Sequence, residues 1–180
     1  MVPQTAWLDR KFTFDLPIGT FPPLLERLRG TPVRAKELVA GLPEPMLAAR
    51  VNEKWSVKEH LGHLVDLEPL DDQRLSEFMN HAEVLSAADM ENRSTEIADH
   101  RRVPIAEILR RLTAGREALA HRLEELKEDQ AGIIAIHPRL QEPMRLVDWI
   151  YFVAEHDDHH LALARRTIRA LQGETTSLRS

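Results

Sequence analysis

The sequence predicts an all-α protein, an antiparallel four-helix bundle with irregular connectors, forming one domain over residues 1–180. Two observations predict it. Four stretches of similar length repeat their apolar residues at helical spacing. Between them no repeat, low-complexity tract or convincing strand pair stands out. The composition, 43% apolar and 29% charged, is that of a soluble globular chain long enough to bury a core.

The first helix is expected over roughly Phe21 to Leu42, with Leu24, Leu25, Leu28, Val33, Leu38, Val39 and Leu42 as apolar positions. Its Gly30-Thr31-Pro32 step should kink or break it, because proline lacks the amide proton and clashes with the preceding turn. The second starts at Ser56-Val57-Lys58-Glu59, an S-x-x-E capping box, and runs to about Met79 with a kink at Pro69. The third spans about Pro104 to Glu128, carrying Ile105, Ile108, Leu109, Leu112, Leu119, Leu123 and Leu126. The fourth spans about Leu146 to Leu171, with Gly173 as its stop. Residues 80–103 read as acidic and broken, with room for short helical pieces, and 129–145 as a connector holding two prolines.

Several function classes are excluded or disfavoured. The net charge of −5 leaves no basic patch for nucleic acid. Without cysteine there is no disulfide, no thiolate metal ligand and no protein thiol nucleophile. The N-terminus lacks a basic region followed by an apolar run, and no window approaches the roughly 18 apolar residues of a membrane span. The expected location is the cytoplasm.

The chemistry concentrates in "EHDDHHLALARR", residues 155–166. Positions four apart on a helix differ by only about 40°, so His156 and His160 share one direction. Trp149, Val153, Leu163 and Leu171 lie on that stripe, so the pair faces the core, with His159 at the edge. A buried imidazole without a partner costs a few kcal/mol, and a pair one turn apart is a known divalent-metal ligand set. Hydrogen bonding inside the core is the alternative reading. A third ligand must come from another helix. The capping-box helix offers His60 and His63, and helical phase does not choose between them; Asp66 lies one turn beyond His63 as a supporting partner. H-E-x-x-H, Glu-x-x-His pairs, phosphate loops and G-x-S-x-G are all absent. His81, His100 and His121 are expected on the surface, and His137 in the connector is expected to shape a turn or lie over the bundle mouth.

"KWSVKEHLGHLVDLE" followed by "LVDWIYFVAEHDDHHLALARR" resembles the DinB/YfiT-like superfamily of metal-dependent four-helix proteins, and "DLPIGTFPP" is similar to the opening of YfiT-like members. The resemblance implies an up-down-down-up bundle, often dimeric. It implies a ligand set of His63, which follows Trp55 by eight residues, with His156 and His160. It further implies a divalent ion: Zn or Ni first, then Fe or Mn. Family members include transferases using a low-molecular-weight thiol, a thiol-dependent isomerase, and proteins labelled only as metal-dependent hydrolases. One departure is Ala164, where many members have glutamine.

The expected function is therefore a three-histidine metal enzyme acting on a small molecule. Transfer of a low-molecular-weight thiol is favoured over hydrolysis, and a non-catalytic, stress-associated metal-binding domain is the third reading. Asp66, Glu155, Asp157 and His159 are the candidate bases or supporting groups. Trp7, Phe12 and Phe14 could serve a homodimer or pack back on their own bundle.

Overall fold

The computed structural model describes residues 2–173. Its helices are α1 (Phe21–Val39), α2 (Glu44–Leu47), α3 (Val57–Asp66), α4 (Glu68–Met79), α5 (Arg93–Ala98), α6 (Ile105–Glu124) and α7 (Leu146–Leu171). The bundle is built from α1, α3 with α4, α6 and α7. Both α1 and α3 pack against α6 and α7, so the first two bundle helices lie across the diagonal. Among the described residues no helix is long and apolar enough to cross a membrane.

The fourth helix has the predicted limits, and Gly173 beyond it takes φ +73°. The capping box forms: the Glu59 amide donates to Ser56 Oγ (3.3 Å) and Glu59 Oε2 accepts from the Ser56 amide (2.8 Å). Three boundaries need correction. Helix α1 runs through Pro32 without a break, and Arg34 folds back to donate to the carbonyls of Gly30 and Arg27, both at 3.2 Å. It ends at Val39 because Gly41 (φ +73°) turns the chain, and Val33 points to solvent at 67% exposure. The expected second helix is two helices meeting at Leu67, with Pro69 in the first turn of α4, where its missing amide costs nothing. Helix α6 starts after Pro104, which is its N-cap, and ends at Glu124.

The connector holds a strand pair that the sequence did not announce. Strands β1 (Ile134–His137) and β2 (Glu142–Arg145) form an antiparallel hairpin, registered from Ile134↔Arg145 to His137↔Glu142. Two four-residue strands, one followed by Pro138 and the other containing Pro143, give too short an alternation to read. The segment before α5 docks on β1 through Ile136 N–H to Glu83 O (2.8 Å) and Leu85 N–H to Ile136 O (3.0 Å).

The core divides into two apolar clusters with a polar layer between them. One holds Leu28, Leu75, Phe78, Leu119, Trp149 and Phe152; the other holds Ala35, Leu61, Leu64, Leu112, Leu161 and Ile168. Each bundle helix passes from one cluster to the other and contributes polar residues at the crossing: Thr31, His63, Arg116, and His156 to His160. The N-terminal aromatic segment packs on its own bundle: Trp7 and Phe12 lie 5.0 and 5.1 Å from the Phe152 ring.

Candidate metal centre

Half of the polar layer is an ion-pair core. Arg116, 1% exposed, meets Asp157 (2.7 Å), Glu68 (2.9 Å) and Asp71 (3.1 Å). Asp157 also accepts from Thr31 Oγ1 at 2.8 Å. Burial, only partly countered by Arg116, raises Glu68 to about 8, so this carboxyl is protonated at neutral pH. Asp157 and Glu155 are thereby removed from the candidate bases. Asp157 belongs to Arg116, and Glu155 is held by Arg10 and Arg27.

The other half is a histidine cluster. His63 from α3 and His156 and His160 from α7 each offer one ring nitrogen, all within 4.8 Å of one another. The Nε2 atoms of His156 and His160 are 3.2 Å apart. Two nitrogens bound to one tetrahedral ion at about 2.05 Å sit roughly 3.3–3.4 Å apart, so the donor set fits a divalent cation. The ring centroids are 4.5–5.4 Å apart within the trio. Burial lowers His63 to about 4 and pushes His156 and His160 well below the ordinary imidazole value, with neighbouring histidines adding to it for His156 and His160. All three are neutral at physiological pH, the form that ligates.

Each end of the trio has a supporting partner. His60, which helical phase left level with His63, lies behind His160, with the two Nδ1 atoms 3.1 Å apart. If His160 gives Nε2 to a cation, its Nδ1–H donates to His60. His63 Nδ1 is 3.1 Å from Thr95 Oγ1; Thr95 donates to Asp66 Oδ2 at 2.8 Å, and His100 Nε2 meets the same oxygen at 2.8 Å. Read in one direction, His63 Nδ1–H, the Thr95 hydroxyl and Asp66 form a relay that leaves His63 Nε2 free to ligate. Asp66 thus supports His63 as expected, but through Thr95.

His100 corrects the sequence reading. It is 3% exposed, because its ring lies against Gly62, where a β-carbon would fall 2.2 Å from it. His81 and His121 are exposed as expected. His137 is 2% exposed, its ring tilted against Phe152 at a centroid distance of 5.0 Å on the cavity wall. His159 pairs through Nδ1 with Gln4 Nε2 (2.9 Å).

The trio opens on a cavity of about 420 Å³. Trp55 and Trp7 wall the histidines, 5.0 Å from His63 and 4.8 Å from His156 respectively. Trp7 was visible in the sequence only as an unplaced aromatic. Its role depends on a contact across nearly the whole chain.

The comparisons agree with this architecture. A family model described as the DinB superfamily matches residues 27–164, a span that contains the whole trio. An uncharacterized protein of Bacillus subtilis (strain 168), YuaE, is 26% identical over 125 residues, covering 61% of this chain and 75% of its own. The fold is similar to that of YfiT from Bacillus subtilis, described as a probable metal-dependent hydrolase with an unusual four-helix bundle topology. That likeness has a TM-score of 0.78 at 18% identity, covering 91% of this chain and 94% of YfiT. With the bundle, the ordered histidine pattern and a family match over most of its length, the chain belongs to the DinB superfamily.

Proposed function

We propose that the protein is a divalent-metal-dependent enzyme acting on a small molecule, with His63, His156 and His160 as ligands and Zn or Ni ahead of Fe or Mn as the ion. The observation that carries this reading is three neutral imidazoles, two buried and one half-buried, converging at the wall of an aromatic-lined cavity. Bound there, a divalent cation would supply the positive charge that lowers the pKa of a water or a thiol.

The chain's own residues do the rest. Trp7 and Trp55 keep bulk water from the histidines, which strengthens every charge interaction inside. The Thr95–Asp66 relay holds the proton on His63 Nδ1, and His60 does the same for His160.

Thiol transfer is favoured over hydrolysis by the state of the carboxylates. Water attack usually draws on a free general base, yet Glu155, Asp157 and Asp71 are all engaged by arginines. A thiol, with an ordinary pKa of about 8.5, needs only a nearby positive charge to ionise at neutral pH. The chain has no cysteine, so the thiol is a co-substrate, and a reducing cytoplasm is where it would be available. The description of YfiT keeps hydrolysis as the second reading.

The test is a panel of electrophiles and esters given to metal-loaded protein, with and without glutathione, bacillithiol or mycothiol. Thiol-dependent turnover yielding a thioether is expected. Thiol-independent ester or amide cleavage would move the assignment to hydrolysis. No turnover on either arm favours the metal-binding-domain reading.

A further inference from the structure

The hairpin end of the cavity carries two donor groups, on Arg139 and His137, that no described residue answers. Arg139, in the turn between β1 and β2, sets its guanidinium 5.7 Å from the Phe152 ring centroid. Among the described residues it makes no hydrogen bond or ion pair, and its Nη2 is buried. Burial alone lowers its pKa, with no carboxylate working against it.

His137 adds a second orphan. Its Nδ1 accepts from the Leu140 amide at 3.3 Å, so the neutral ring carries its proton on Nε2. That Nε2–H is buried and has no acceptor among the described residues, in a side chain 2% exposed on the cavity wall. Arg74 stands close enough to depress the His137 pKa; its Nε and Nη2 donate to the Ser86 carbonyl at 2.9 and 2.8 Å. Asp71 is near Arg74, but it is bonded to Arg116. The contrast with Arg116, which is paired with Asp157 and Asp71 and touches Glu68, is sharp: Arg139 has no such carboxylate partner among the described residues. Buried donors without acceptors are destabilising, and the cost is recovered when a ligand supplies the acceptor.

We propose that the substrate carries a carboxylate, received at the hairpin end of the cavity by Arg139 and the His137 Nε2–H, with Arg74 behind them. A planar guanidinium fork and one N–H match the two oxygens of a carboxylate. The apolar middle, Phe152 and Trp7, spans the distance to the histidines. The placement of the reacting end rests on the three-histidine reading; the carboxylate site does not.

The experiment uses the full chain as purified, with phenylacetate and its neutral amide, phenylacetamide, as probes in ligand-observed NMR titrations at low salt. Phenylacetate should bind saturably, and phenylacetamide at least about tenfold more weakly. Arg139→Gln should weaken phenylacetate at least about tenfold and leave phenylacetamide unchanged; Arg139→Lys should fall between, since it keeps the charge and loses the fork. Melting curves confirm that the variants are folded; if Arg139→Gln is not, the Arg139→Lys comparison decides. Metal content by elemental analysis of the same samples separates a failure of the metal reading from a failure of this one. The proposal is overturned if phenylacetate does not bind wild type saturably, if the acid and amide bind equally, if the Arg139 variants bind like wild type, or if inorganic phosphate binds more tightly than phenylacetate.

Discussion

Replacing Gly62 with alanine should destabilise the protein, against the usual trend. In a helix interior, Gly→Ala ordinarily stabilises by about 0.5–1 kcal/mol by removing backbone freedom from the unfolded chain. Here the added β-carbon would lie 2.2, 2.4 and 2.5 Å from Cγ, Cδ2 and Nδ1 of His100. The ring cannot simply swing away, because it is 3% exposed and its Nε2 is fixed 2.8 Å from Asp66. Overpacking costs about 1–3 kcal/mol and the lost bond to a carboxylate about 1.5–3 kcal/mol. Set against the propensity gain, the net loss is about 1.5–5.5 kcal/mol. For a chain of this size that is a fall in Tm of roughly 3–22 °C. Because Asp66 also takes the Thr95 hydroxyl that supports His63, metal affinity should fall about 10–100-fold as well. Circular-dichroism melting and a competitive chelator titration read the two effects. An unchanged or higher Tm would refute the packing argument, and a lower Tm with unaltered metal affinity would refute the relay.

Three further outcomes follow from the same structure. Arg116→Met should cost about 3–5 kcal/mol in urea unfolding, since it leaves Asp157 and Asp71 buried without their cation; a loss below about 1 kcal/mol would mean those carboxylates are not charged partners. For the metal-free protein, His60 and His137 at about 3 and His63 at about 4 stand below an unfolded value of 6.5. The unfolded chain therefore takes up protons first, so stability is full above about pH 6.5 and declines as pH falls toward 4, by up to about 1.4 kcal/mol per unit per histidine; a flat profile between about pH 7 and 5 would contradict their burial. Light scattering should give the monomer mass of 20.6 kDa, because Trp7, Phe12 and Phe14 are used within the chain; twice that mass would establish a dimer through another surface.

What the sequence made legible was local. The i,i+4 spacing of His156 and His160 and the Ser56–Glu59 capping box depend on residues within one helical turn, and the structure reproduces both. His60 and His63 share a helix face well enough that phase could not rank them; only the family resemblance separated the residue in the trio from the one behind His160. The remaining parts arise from contacts distant in sequence. His100 is buried by the absence of a side chain at Gly62, and Thr95 reaches His63 from a six-residue helix with no periodicity to read. Arg139 faces the cavity only because a two-strand hairpin turns it inward. Glu155 and Asp157 looked like candidate bases because their arginine partners lie on other segments.

The most direct measurement is elemental analysis of purified protein after mild dialysis, for wild type, His160→Ala and His121→Ala. His160 sits within the trio, whereas His121 is exposed on α6. Wild type and His121→Ala should each retain about one divalent ion per chain, and His160→Ala should lose most of it. Equal retention by the two variants, or no metal in wild type refolded with Zn or Ni, would contradict the three-histidine centre.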